Sequence, residues 1–266
     1  MKRLAWATDV HLNFPGRGAV DAFYRSLAAT DADAVLLSGD VGEAPDLTRH
    51  LTRLASCVAR PVYFVLGNHD FYRGTVAGVR AQVAALCPAV PSLHWLPQAG
   101  VVPLTEATCL VGHDGWGDGR CGDYWGSRVL LNDWRFIGDF FGLEASERLG
   151  VLHALGDEAA AHFRSVLPDA LTRFRHVVVV THVPPFREAC WHGGKISDDE
   201  WLPHFACKAV GEVLRQAMAA RPDRDMTVLC GHTHSPGEAQ VLPNLRILTG
   251  GAEYGHPVIQ RVLEVD

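Results

Sequence analysis

Five runs of apolar, strand-forming residues each end on residues that turn a chain or bind a metal, and this repeated design restricts the fold more than any other feature. Leu4-Ala5-Trp6-Ala7-Thr8 leads into Asp9-Val10-His11, and Ala34-Val35-Leu36-Leu37-Ser38 into Gly39-Asp40. The run over 62–66 stops at Gly67-Asn68-His69-Asp70, Val177-Val178-Val179-Val180-Thr181 stops at His182, and Met226-Thr227-Val228-Leu229-Cys230 stops at Gly231-His232-Thr233-His234. Open α/β sheets carry their chemistry at the carboxyl ends of strands. The five ends therefore converge on one site.

Between the runs the period changes to that of helices. Val20, Phe23, Tyr24 and Leu27 share one helical face, as do Leu47, Leu51, Leu54 and Val58 in a helix that opens near Pro45. Pro61 restarts the chain into the third strand, and a further helix is expected over 75–86, stopping before Pro88. Three strand-helix units in succession imply a parallel sheet with right-handed crossovers. A hairpin follows over 101–104 and 108–112. The segment 113–142 is rich in Gly, Asp and aromatic residues, with Trp116, Tyr124, Trp125, Trp134, Phe136, Phe140 and Phe141 among Arg120, Arg128 and Arg135. So many aromatics argue against disorder, and so long a connection is read either as a cap over the site or as a packing element. A long helix is expected over 145–174, broken at Pro168. A second long connection spans 182–204, a helix 205–219, and an antiparallel meander 240–242, 246–249 and 258–265. No repeat or linker divides the chain, which reads as one α/β domain carrying an aromatic-rich insertion at about 113–142.

The 266 residues are 48% hydrophobic and 20% charged, as in an ordinary soluble enzyme. The net charge of −6 gives no basic footprint, which speaks against a nuclease and against polymeric nucleic acid as substrate. Seven cysteines, none in a Cys-x-x-Cys pair, read as reduced thiols of a cytoplasmic protein. Cys57, Cys109 and Cys230 read as packing residues, whereas Cys121 and Cys190 lie in polar loops that could wall a site. The apolar stretch after Lys2-Arg3 is too short for a secretory signal, and no run reaches the roughly 18 apolar residues of a membrane span.

Together the turns offer Asp9, His11, Asp40, Asn68, His182, His232 and His234. Carboxylates, an amide and imidazoles in this mixture suit Mn, Fe or Zn better than Mg or Ca. Seven ligands are too many for one tetrahedral ion, but with one bridging carboxylate they fill two adjacent sites. Two ions about 3.5–4 Å apart can hold a bridging hydroxide and neutralise the charge that builds on a phosphoryl group under in-line attack.

Asp9-x-His11, Gly39-Asp40, Gly67-Asn68-His69-Asp70, His182 and Gly231-His232-x-His234 together resemble the calcineurin-like metallophosphoesterase superfamily, in the family's order and over most of the chain. The resemblance implies a four-layer α/β/β/α sandwich, two mixed sheets flanked by helices. It implies that Asp9, His11 and His234 hold one metal, that Asn68, His182 and His232 hold the other, and that Asp40 bridges them. His69 corresponds to the histidine that contacts phosphate and protonates the leaving oxygen. The Asp-Arg-Gly of the protein-phosphatase branch is replaced here by Glu43-Ala44-Pro45, which removes the phosphate-binding arginine and leaves Glu43 to orient His69. Asp70 is assigned beside them, as a turn-stabilising carboxylate more than a proton donor. The substrate-binding set is Asn68, His69, Trp116, Arg120, Tyr124 and His192, with His113 and His256 as further wall candidates. The expected activity is hydrolysis of a small phosphodiester, with a nucleotide or sugar phosphomonoester as the alternative and a non-catalytic metal-binding scaffold behind both.

Overall fold

The computed structural model describes residues 1–266. The first half builds one sheet: β1 (Lys2–Ala7), α1 (Arg17–Ala28), β2 (Ala34–Ser38), α2 (Leu47–Val58), β3 (Val62–Val65), α3 (Val76–Ala89) and β4 (Leu93–Trp95). After a short α4 (Leu96–Ala99), the hairpin of β5 (Val102–Pro103) and β6 (Thr108–His113) starts a second sheet. The remaining elements are α5 (Asp133–Phe136), α6 (Ala145–Arg173), β7 (His176–Thr181), the small β8 (Trp191–His192) and β9 (Lys195–Ile196) hairpin, α7 (Leu202–Phe205), α8 (Lys208–Ala219), β10 (Asp225–Cys230), β11 (Gly237–Leu242), β12 (Leu245–Thr249) and β13 (Arg261–Val265).

The sheets run β13-β1-β2-β3-β4 and β11-β12-β10-β7-β6-β5. Every central strand is parallel to its central neighbours, and antiparallel partners occur only at the edges. Their continuous apolar runs follow from burial on both faces. In β1, Leu4 and Trp6 face the other sheet while Ala5 and Ala7 face the helices; in β7, Val178 and Val180 face inward and Val177 and Val179 meet α6 and α8. The layers are therefore α1–α3, sheet, sheet, and α6 with α8, which is the expected four-layer sandwich.

Three local expectations need correction. Helix α3 continues through Pro88 to Ala89, because a proline in the last turn forfeits one intrahelical bond and nothing beyond it. Helix α6 runs unbroken through Pro168. Its buried face of Ala160, Phe163, Leu167 and Leu171 contributes roughly 1.5–3 kcal/mol per large side chain, which outweighs the about 3 kcal/mol an interior proline costs. The final strands form no meander. β11 and β12 are a hairpin, but β12 lies parallel to β10, and β13 crosses to the other sheet to pair antiparallel with β1, Leu4 opposite Leu263.

Candidate metal centre

Each motif leaves its strand in a sharp turn that aims side chains into the gap between the sheet ends. Seven non-glycine residues have positive φ, and five of them are Asp9, His11, Asp40, His232 and His234. Backbone strain of this kind, on the order of 1–3 kcal/mol per residue, persists where surrounding structure enforces it and clusters at functional sites.

All seven expected ligands come together. The ligand atoms of Asp9, His11, Asp40 and His234 lie within 4.8 Å of one another. His11 Nε2 stands 3.1 Å from His234 Nε2, His234 Nε2 is 3.4 Å from Asp9 Oδ1, and His11 Nε2 is 3.7 Å from Asp40 Oδ2. On the other side of the same Asp40 oxygen, His182 Nε2 is 3.4 Å away and also 3.1 Å from Asn68 Oδ1, which lies 3.0 Å from His232 Nδ1. Donors about 2.1 Å from a shared ion stand roughly 3.0–3.4 Å apart at octahedral or tetrahedral angles, which all of these separations match except the longer His11–Asp40 pair at 3.7 Å.

The tautomers agree. His182 Nδ1 faces the Ser38 carbonyl at 2.8 Å and His232 Nε2 faces the His204 carbonyl at 3.0 Å. A carbonyl only accepts, so these nitrogens donate, and the opposite nitrogens turn lone pairs toward Asn68 Oδ1. His182 Nε2 and His232 Nδ1 are 3.3 Å apart, so three acceptor atoms converge and call for a cation. Burial opposes ionisation of Asp40, yet the surrounding histidines hold its carboxyl well below the usual range. Burial likewise opposes charge on His182, but Asp40 and Asp9 carry it up to about 10, so they draw positive charge to its Nε2, as a proton that a metal ion would displace, whereas burial and His182 keep His232 neutral, down to about 3. The carboxylates thus draw positive charge to the point where the donors meet.

His69 lies at the rim. Its backbone N–H donates to Asp40 Oδ1 at 2.8 Å, its ring stacks on Tyr72 at 4.2 Å, and its Nδ1 is buried without a partner. The expected orienting role of Glu43 is not seen. Its Oε1 accepts from Asn13 Nδ2 at 3.2 Å and its Oε2 pairs with Arg73 Nε at 3.1 Å, so neighbouring donors hold it away from the imidazole. Asp70 does stabilise the turn, accepting from the N–H groups of Val41, Gly42 and Gly67.

The cluster of donor side chains opens into a cleft of about 350 Å³ lined by His69, Tyr72, Leu130, Leu131, His192, Trp201, Phe205 and Tyr254 among others. Of the expected substrate-binding residues, Asn68, His69 and His192 line it. Trp116 is buried behind the cluster against Phe71 and Phe140. Arg120 is held by Asp118 and Asp157, and the Tyr124 hydroxyl donates to the Ala145 carbonyl, both away from the cleft. His113 packs against His162 and Phe163, His256 is exposed, and Cys121 and Cys190 do not reach the cleft. The aromatic wall comes instead from the second long connection, where His192 stacks on Trp201 at 5.5 Å and Trp201 lies 5.1 Å from Phe205, and from Tyr254, whose ring is 4.6 Å from His11. Trp201 and Phe205 stand four apart on one side of a turn, a spacing visible in the sequence. Tyr254 had no such signal.

The profile of the calcineurin-like phosphoesterase family matches residues 2–236. The chain belongs to that family. Among solved structures, this phosphoesterase resembles the phosphopantetheinyl hydrolase PptH from Mycobacterium tuberculosis, at 16% identity and a TM-score of 0.65, over 95% of this chain and 89% of that one. It resembles a dimetal phosphatase from Danio rerio at 13% identity and a TM-score of 0.58, over 94% and 87%, and the TT1561 protein of Thermus thermophilus at 13% and 0.56, over 94% and 89%. These likenesses are of fold. No curated protein matches the phosphoesterase by sequence. The family implies two divalent ions, and the donor set fits them. No helix is long and apolar enough to cross a membrane.

Proposed function

We propose that the chain hydrolyses a small phosphodiester at a dinuclear centre of Mn, Fe or Zn, with Asp9, His11 and His234 on one ion, Asn68, His182 and His232 on the other, and Asp40 between them. The observation that carries the diester preference is the cleft lining, which contains His69 and apolar or aromatic walls but no lysine or arginine. A monoester arrives as a dianion and gains from a cationic side chain, whereas a diester brings a single charge and a second organic group that needs a surface to lie on. Bound ions would supply Lewis acidity, lowering the pKa of water toward about 7 and neutralising phosphoryl charge.

The protein's own residues do the rest. His69, held beside Asp40 by its backbone and under Tyr72 by stacking, hands a proton to the departing oxygen. His192, Trp201 and Phe205 receive one arm of the diester, while Tyr254, with Phe14 at 4.6 Å, receives the other and screens the centre from water. Flat or extended apolar arms suit these walls, so nucleoside and aryl diesters are the first to try, with a phosphopantetheinyl ester added because PptH is named for one. Seven unpaired cysteines fit the reducing cytoplasm. The test compares bis-p-nitrophenyl phosphate with p-nitrophenyl phosphate in Mn, with Asp40→Ala as control. Diester turnover well above monoester turnover, lost in the control, supports the reading, and a faster monoester rate overturns the diester preference.

A further inference from the structure

The segment 113–142 contributes one buried carboxylate to the metal centre, at a position outside every shared motif. Asp133 opens α5 and is 2% exposed. Its Oδ1 accepts from Asn68 Nδ2 at 2.9 Å and from the Tyr72 hydroxyl at 2.8 Å. An amide can be placed with either end toward the ions, and only its oxygen ligates. The bond to Asp133 fixes the nitrogen outward, which turns Oδ1 to His182 and His232. The second bond holds the Tyr72 ring, whose face lies on His69 at 4.2 Å with a 25° interplanar angle.

The backbone around Asp133 is fastened to the same loop. Arg73 N–H donates to the Phe136 carbonyl at 2.7 Å, Gly138 N–H donates to the Gly74 carbonyl at 2.9 Å, and Val76 N–H donates to Asp139 Oδ2 at 2.8 Å. The stretch 133–139 is therefore a brace for the loop that carries Asn68 and His69. We propose that Asp133 is a positioning residue that sets metal ligand and proton donor together, Asn68 directly and His69 through Tyr72. Partners of this kind behind a ligand typically change metal affinity about 10–100-fold when removed.

The inference rests on the assignment of Asn68 as a ligand, and its test separates the two. Mn binding is titrated calorimetrically in wild type, Asp133→Ala, Asp133→Asn and Tyr72→Phe, with thermal melts run alongside. The expected result is two sites in wild type. In Asp133→Ala one of them weakens about 10–100-fold while the other is unchanged. Asp133→Asn, whose amide oxygen can accept both bonds, recovers most of that loss. Tyr72→Phe keeps both affinities but slows turnover of an alkyl diester more than of a p-nitrophenyl diester, because only the alkyl leaving group needs the proton. Wild-type affinities in Asp133→Ala, or equal loss at both sites, overturn the role of Asp133. If Asp133→Ala does not fold, Asp133→Asn and Tyr72→Phe decide instead, and uniform slowing of both diesters in Tyr72→Phe refutes the link to His69. A wild type without Mn sites would refute the dinuclear reading itself.

Discussion

Gly67→Ala adds a single methyl group and is expected to damage the metal centre. Gly67 has φ −108° and ψ 176°, which any residue adopts, so the constraint is space alone. A Cβ there would stand 2.1 Å from Asp40 Oδ1, 2.6 Å from the Asp40 backbone nitrogen and 2.7 Å from His182 Cε1. Ordinary contact begins near 3.4 Å, so Asp40 Oδ1 must retreat by about 1.3 Å, and the backbone contact cannot be relieved by a rotamer change. Oδ2, which faces His11 and His182, belongs to the same rigid carboxylate and moves with Oδ1; since ligand distances are held to about ±0.2 Å, a shift of this size would remove Asp40 from the bridging role proposed for it. Overpacking costs about 1–3 kcal/mol, and losing the His69 N–H bond to a charged carboxylate adds about 1.5–3 kcal/mol. At about 2–4 °C per kcal/mol for a chain of this size, Tm falls on the order of 10 °C. The assay is a thermal melt with elemental analysis after dialysis in Mn. A variant that melts within about 2 °C of wild type and retains both ions would refute the close packing of Gly67 against the bridging carboxylate.

Two further outcomes follow from single residues. Replacing His69 by alanine is expected to lower kcat on alkyl diesters about 10²–10⁴-fold with metal content intact, since its side chain contacts no ligand by hydrogen bond; unchanged turnover of an alkyl diester at saturating Mn would remove it as the proton donor. His113, facing Arg80, Glu158 and His162, is held neutral by burial and by Arg80, its pKa down to about 3. The unfolded chain takes up a proton there near 6.5, so the stability this group contributes is full above that pH and is lost as pH falls, by about 2 kcal/mol at pH 5. Urea melts of His113→Gln should show a loss between pH 7 and 5 that is smaller by about that amount, and an identical slope would contradict it.

The sequence by itself determined the strand ends and what stands on them. Asp9, His11, Asp40, Asn68, His182, His232 and His234 were legible because each follows an apolar run directly, and a strand's direction fixes where its next residue lies. The four layers were expected only through the family resemblance that those motifs carry, and the strands' burial on both faces is what such layering requires. Only the tertiary structure decided which strand pairs with which, and so β13 joined β1 where the alternating pattern alone suggested a meander. It also decided which residues of the two long connections wall the cleft. Arg120 and Tyr124 have the chemistry of a substrate site but found partners in Asp118, Asp157 and Ala145, while Trp201 and Phe205, whose spacing is visible, and Tyr254, which had no local signature, were carried to the cleft by the packing of their turns. Asp133 reaches Asn68 across 65 residues of chain, and a contact at that range is set by how the sheets and helices pack.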